Sequence, residues 1–329
     1  MKYISCYPFI HSIKRQCPIL LISGTILILT ILVVCSPSDR ELNAVEYAPL
    51  TEGAWKVSTP AEQGLDPILV AELYYNAAKL ETLFGLLVVK NSHLIAERYF
   101  NEGSVEQKAR VQSVTKSIIS AMAGIALDQA FLSSVDQKMI DFFPEVADKI
   151  TDPRKKQITI RHLLQMRAGY PWEESHPVSH LDVKAGEWGQ DAEGHNNGCG
   201  DLHLTARDTS KFGLLYLNDG VYDGNQIVPA DWVHHSLQTY SVNEAFVKRV
   251  GDFSDIGYGY HWWSANVGRH HVNFAWGHGG KLIVLLDAFD LSIVVTAQPF
   301  WKEHDDESWK HEKAIIKLVG KFIDSIPIE

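Results

Sequence analysis

Residues 112–127 read QSVTKSIISAMAGIAL. Val114, Ile118, Ile119, Met122, Ile125 and Ala126 recur at helical spacing with no proline among them, which predicts a helix with an apolar face. Ser113 and Lys116 stand at i and i+3 at its start and share one side of it. A lysine amine one turn from a serine hydroxyl can take its proton, and a serine in the first turn lies at the positive end of the helix dipole, which favours a developing alkoxide. That chemistry needs an uncharged Lys116, brought about by partial burial or nearby positive charge. Taken alone the spacing is weak. About one Ser-x-x-Lys is expected by chance in such a chain, and one occurs. The plain reading of Lys116 is a solvent-facing lysine on an ordinary helix.

Upstream, Gly85–Lys90 is a short apolar run. Asn91-Ser92 and the roughly alternating stretch His93–Phe100 follow it, a β-hairpin signal. Downstream, helical patterns cover Ile160–Met166, Ala206–Asn218, opened by Thr205 as N-cap, and Ala230–Leu237. Strand character returns at Tyr258–Ser264, Asn273–Gly277, Leu282–Asp287 and Leu291–Ala297. Ala314, Ile315, Leu318, Val319, Phe322 and Ile323 then line one face of a closing helix. The order is hairpin, helical middle, strands, closing helix.

These segments also resemble a known family. Gln112–Lys116 with the helix behind it is similar to the nucleophile segment of the serine β-lactamase and penicillin-binding-protein-like hydrolases, in particular the class C β-lactamase, esterase and 6-aminohexanoate-dimer hydrolase branch. In the same order come Ser134-Val135-Asp136 to Phe143-Pro144-Glu145, Ile158–Leu164 with Ala168-Gly169, and Leu204–Asp208 to Asp219-Gly220. Gly257-Tyr258-Gly259-Tyr260 with Trp262-Trp263 and then Gly277-His278-Gly279-Gly280 complete the series. The resemblance implies a mixed α/β fold of the β-lactamase/DD-peptidase type. An antiparallel sheet is flanked by N- and C-terminal helices, with a mainly helical subdomain inserted at about 115–240. It implies Ser113 as nucleophile, Lys116 as base, and His278-Gly279-Gly280 as a strand beside the substrate. It further implies an oxyanion hole from the backbone N–H groups of Ser113 and Lys281.

The family's Tyr-x-Asn element should fall between Gly169 and Leu204, and the sequence has none there. The interval is short, as if by internal deletion. Glu173, Glu174, His176, His180 and His195 could substitute for the tyrosine, though each reads first as an exposed loop residue. Tyr216-Leu217-Asn218 and Ser264-Ala265-Asn266 fit the letters, but read as core and capping and as part of a strand. No G-x-S-x-G elbow and no H-E-x-x-H motif occurs, and His270-His271 and His304–His311 lack metal spacing, so no cofactor or metal is expected. The expected activity is hydrolysis of a small ester, amide or peptide through a Ser113 acyl-enzyme. A relative that binds or is acylated without turnover is the second possibility.

The chain's 329 residues, 46% of them hydrophobic, suffice for a sizeable core. Pro18–Val34 is an uncharged run of seventeen residues, about 25 Å as a helix, with Lys2, Lys14 and Arg15 before it. It reads as a signal peptide or membrane anchor that puts the rest of the chain outside the cytoplasm. An uncleaved anchor, a lipid anchor at Cys35 and a cleaved signal all fit. Residues 36–60 read as a linker and 61–329 as the hydrolase domain. Of the four cysteines only Cys199 lies in that body, so no internal disulfide is expected. The net charge of −10 argues against nucleic acid as a partner.

Overall fold

Asn91 and Ser92 both take left-handed backbone angles, φ 49° and 60°, as a tight two-residue hairpin requires. They join β1 (Leu83–Lys90) to β2 (His93–Tyr99), and with this hairpin the sheet begins. The structure is a computed structural model and describes residues 36–50, 55–169, 188–190, 194–242, 248–301 and 305–328. The expected export segment lies outside these residues. Among them, no helix is long and apolar enough to cross a membrane. Pro37–Glu329 form one compact unit.

The other strands of the sheet are β3 (Ser241–Val242), β4 (Arg249–Val250), β5 (Phe253–Tyr258), β6 (Trp263–Val267), β7 (His270–Gly277), β8 (Lys281–Leu286) and β9 (Leu291–Ala297). Their order is β2-β1-β9-β8-β7-β6-β5-β3, with β4 also on β5, and every pair is antiparallel. Both chain halves thus build one sheet, as the sequence predicts.

Alternation along β8 explains the layering, since side chains point to opposite faces in turn. Leu282, Val284 and Leu286 join a core beneath α1 (Pro67–Ala77) and the closing helix α6 (Asp305–Asp324). Ile283 and Leu285 join a second core beneath α2 (Val114–Asp128), α4 (Ala206–Leu217) and α5 (Ala230–Leu237). Thr205 caps α4 by accepting the Asp208 N–H at 3.0 Å. The short α3 (Ile160–Leu164) is capped by Thr159.

One predicted strand is interrupted. Tyr258–Ser264 is two strand ends around a turn at 259–262, closed by Gly259 N–H on the Trp262 carbonyl at 2.7 Å. The turn is held by Tyr260 N–H, which donates to the Ser236 carbonyl at 2.9 Å, and glycine at 259 permits the close approach, since a Cβ there would lie 2.4 Å from the same oxygen.

Candidate active site

The chain enters α2 through a strained corner. Gln112 has φ 51°, a conformation costing a non-glycine residue roughly 1–2 kcal/mol. Ser113 follows as the N-cap of α2. Its N–H makes no hydrogen bond among the described residues, as is usual for the first donors of a helix. The structure brings Ser113 and Lys116 together: Lys116 Nζ lies 2.9 Å from Ser113 Oγ and donates to the Cys199 carbonyl at 2.7 Å. Both residues are partly exposed.

The loop that carries Cys199 is tightly held. A two-residue ladder pairs Ala109–Arg110 with His203–Leu204, and Val111 N–H donates to the Leu202 carbonyl at 2.8 Å. Arg110 forms an ion pair with the buried Asp201. Asp201 also accepts from Asn197 Nδ2 at 2.6 Å, and Asn197 Oδ1 accepts the Cys199 N–H at 3.0 Å. The Cys199 carbonyl is therefore a fixed acceptor for Lys116, a role with no side-chain signature in the sequence.

The third expected element sits differently from its sequence reading. His278, Gly279 and Gly280 lie in the turn after β7, with φ 84° and 83° at the two glycines. A Cβ on Gly279 would lie 2.6 Å from the Gln298 carbonyl oxygen, and one on Gly280 would lie 2.8 Å from Ile315 Cδ1. These glycines are needed to turn the chain against the end of β9 and α6. The residue against the nucleophile is Gly277: its Cβ would lie 2.4 Å from the Val111 carbonyl oxygen and 3.3 Å from Ser113 N. The strand pairing agrees, because β6 begins at Trp263 opposite Phe274, while β8 continues to Lys281 opposite Gly277. Among the described residues, Ala275, Trp276 and Gly277 thus have a strand neighbour on one side only. The open edge beside Ser113 ends before His278, and Lys281, named from sequence as an oxyanion donor, has already turned into β8. Its side chain is buried, and its Nζ donates to the His278 carbonyl at 3.0 Å. Burial drives the amine well below the usual lysine range, against the pull of Glu312.

His261 is a group that sequence reading passes over. It stands in the turn between β5 and β6 with φ 59°. Its N–H donates to the Leu164 carbonyl at 2.9 Å, and its own carbonyl accepts from Ser117 Oγ at 2.6 Å, one residue past Lys116. The Tyr258 hydroxyl lies 3.3 Å from its Nδ1. Burial, helped by the Lys116 charge, pushes the imidazole down to about 3, so it is neutral at ordinary pH. A histidine inside a predicted strand carries no signal of this; only the left-handed backbone does.

Of the proposed tyrosine substitutes, His195 is exposed, while Glu173, Glu174, His176 and His180 lie outside the described residues. Tyr216 is buried at 4.5 Å from the Trp262 ring, and Asn218 ends α4, as their core and capping reading holds. Ser264 Oγ bonds Thr239 Oγ1 at 2.6 Å within β6. No cluster among the described residues could hold a metal.

Residues 84–184 match the family model described as Beta-lactamase. Among solved structures, a candidate β-lactamase from Bacteroides dorei DSM 17855 is similar at 14% identity and a TM-score of 0.58, over 83% of this chain and 100% of that one. A candidate 6-aminohexanoate-dimer hydrolase from Bacillus anthracis is similar at 16% identity and a TM-score of 0.52, over 75% and 81%. The octameric penicillin-binding protein homologue from Pyrococcus abyssi is similar at 13% identity and a TM-score of 0.53, over 76% of each chain. The chain thus matches the β-lactamase model over residues 84–184 and shares the fold of these β-lactamase-like and penicillin-binding-protein-like structures.

Proposed function

We propose that this protein hydrolyses a small ester or amide through an acyl-enzyme on Ser113. The observation that carries the reading is the 2.9 Å contact between Ser113 Oγ and Lys116 Nζ beside an open strand edge. Lys116, uncharged at the moment of attack, takes the hydroxyl proton as Oγ bonds to the carbonyl carbon. The negative charge that develops on the carbonyl oxygen is stabilised by the Ser113 N–H and by the backbone of the strand edge at Gly277. Collapse breaks the bond to the leaving group, which takes the proton from Lys116. Water then attacks the acyl carbon and gives its proton to Lys116; the bond from that carbon to Ser113 Oγ breaks, Oγ takes the proton back from Lys116, and the acid product leaves. The N-terminal run and its basic flank support action outside the cytoplasmic membrane.

A fluorophosphonate or fluorescent penicillin probe, with p-nitrophenyl ester turnover alongside, tests the reading. Labelling and turnover that both vanish in Ser113→Ala are expected. Labelling without turnover favours the second reading, an acylated but non-catalytic relative. The absence of Tyr-x-Asn between Gly169 and Leu204 motivates it. A folded wild type that neither labels nor turns over refutes both.

A further inference from the structure

Glu312 of the closing helix is a carboxylate only 1% exposed. Ionised carboxylates are seldom buried this far, because removing one from water costs several kcal/mol unless donors surround it. Its donors all come from one short stretch. Trp276 Nε1 donates to Oε1 at 2.6 Å, Gly279 N–H donates to Oε2 at 2.6 Å, and His278 Nδ1 lies 3.1 Å from Oε2. A carboxylate is acceptor only, so His278 presents its N–H at Nδ1. On the other side of the same turn, Lys281 Nζ holds the His278 carbonyl. The stretch so gripped begins in the open edge and continues the residue that lies against Ser113 N, Gly277. An apolar side chain at 312 would fill the space, but it would leave the donors at Trp276, His278 and Gly279 without this acceptor.

We infer that Glu312 is a positioning residue of the active site: by gripping Trp276 and the turn at 278–279 it fixes Gly277, at the end of the strand edge, at the separation from Ser113 that a tetrahedral oxyanion requires. The inference rests on the hydrolase reading above. It also assigns the Gly279 N–H to Glu312, so that donor is not available to a substrate.

The test compares wild type with Glu312→Ala, Glu312→Gln and Trp276→Phe. The measurements are the rate of Ser113 labelling by a fluorophosphonate, kcat and KM for a p-nitrophenyl ester, the melting temperature, and hydrogen exchange at the Gly279 amide. Losing one oxyanion donor typically costs 10²–10³-fold, so Glu312→Ala is expected to slow labelling and kcat by about 10²-fold with KM little changed. Glu312→Gln keeps one acceptor oxygen and is expected to recover part of that loss; Trp276→Phe is expected to lose less. Gly279 exchange is expected to speed up in Glu312→Ala. Should that variant fail to fold, the other two carry the same comparison. Folded variants that label as fast as wild type overturn the inference alone. So do losses that fall on KM, or that track the melting temperature with no rescue by Gln. A wild type that takes no label overturns the hydrolase reading and this inference with it.

Discussion

His261 keeps its left-handed backbone at a cost that glycine would avoid. Strain of this kind persists where surrounding contacts enforce it, often at functional sites. His261→Gly is expected to raise thermal stability, by up to about 1 kcal/mol, and to lower ester turnover; a calorimetric scan with a rate assay on the same sample checks both. The same residue sets a pH dependence. An unfolded histidine titrates at 6.5, and this one at about 3, so between those values the unfolded chain holds a proton that the native state lacks. Its contribution to stability is whole above pH 6.5 and falls away as the pH drops toward 3. Melting curves against pH are expected to slope less steeply in His261→Gln than in wild type. At Lys116, replacement by methionine removes the base; turnover is expected to fall by about 10²–10⁴-fold, read as kcat.

Among the elements, the most exacting is the end of β7. A methyl group at Gly277 meets backbone atoms of Val111 and Ser113, which cannot give way as a flexible side chain would. Gly277→Ala is expected to cost about 1–3 kcal/mol in denaturant unfolding and to slow Ser113 labelling more than Gly280→Ala does. Elements defined by local periodicity were legible in the sequence. The β1–β2 hairpin, α2, α5 and β9 fall where apolar spacing puts them. So does the Ser113–Lys116 pair, because i and i+3 meet on any helix. What was not legible depends on distant partners. The break after Tyr258 is imposed by carbonyls of Ser236 and Gln238, and the turn at His278–Gly280 by Glu312, Gln298 and Ile315. The Cys199 carbonyl meets Lys116 across a separation of 83 positions in the sequence.

On the scale of the molecule, Glu97 ties three regions together. Its buried carboxylate on β2 accepts from Arg207 Nε and a terminal guanidinium nitrogen, both at 2.7 Å, from Tyr99 Oη at 2.6 Å and from Leu50 N–H at 3.0 Å. Glu97→Ala removes the acceptor of these four hydrogen bonds, two of them from the Arg207 guanidinium, and is expected to destabilise the protein by about 3–5 kcal/mol, measured by urea unfolding. The sheet is closed in the same long-range manner, since Val88 on β1 pairs with Ile293 on β9. A ribosome must therefore reach β9, about 205 positions after Val88, before the middle of the sheet can zip shut. Until then Leu86, Leu87, Val88 and Val89 present a sticky, unpaired border during synthesis. Pairing across such a distance is slow, which lengthens the newborn chain's exposure to aggregation until β9 has been made.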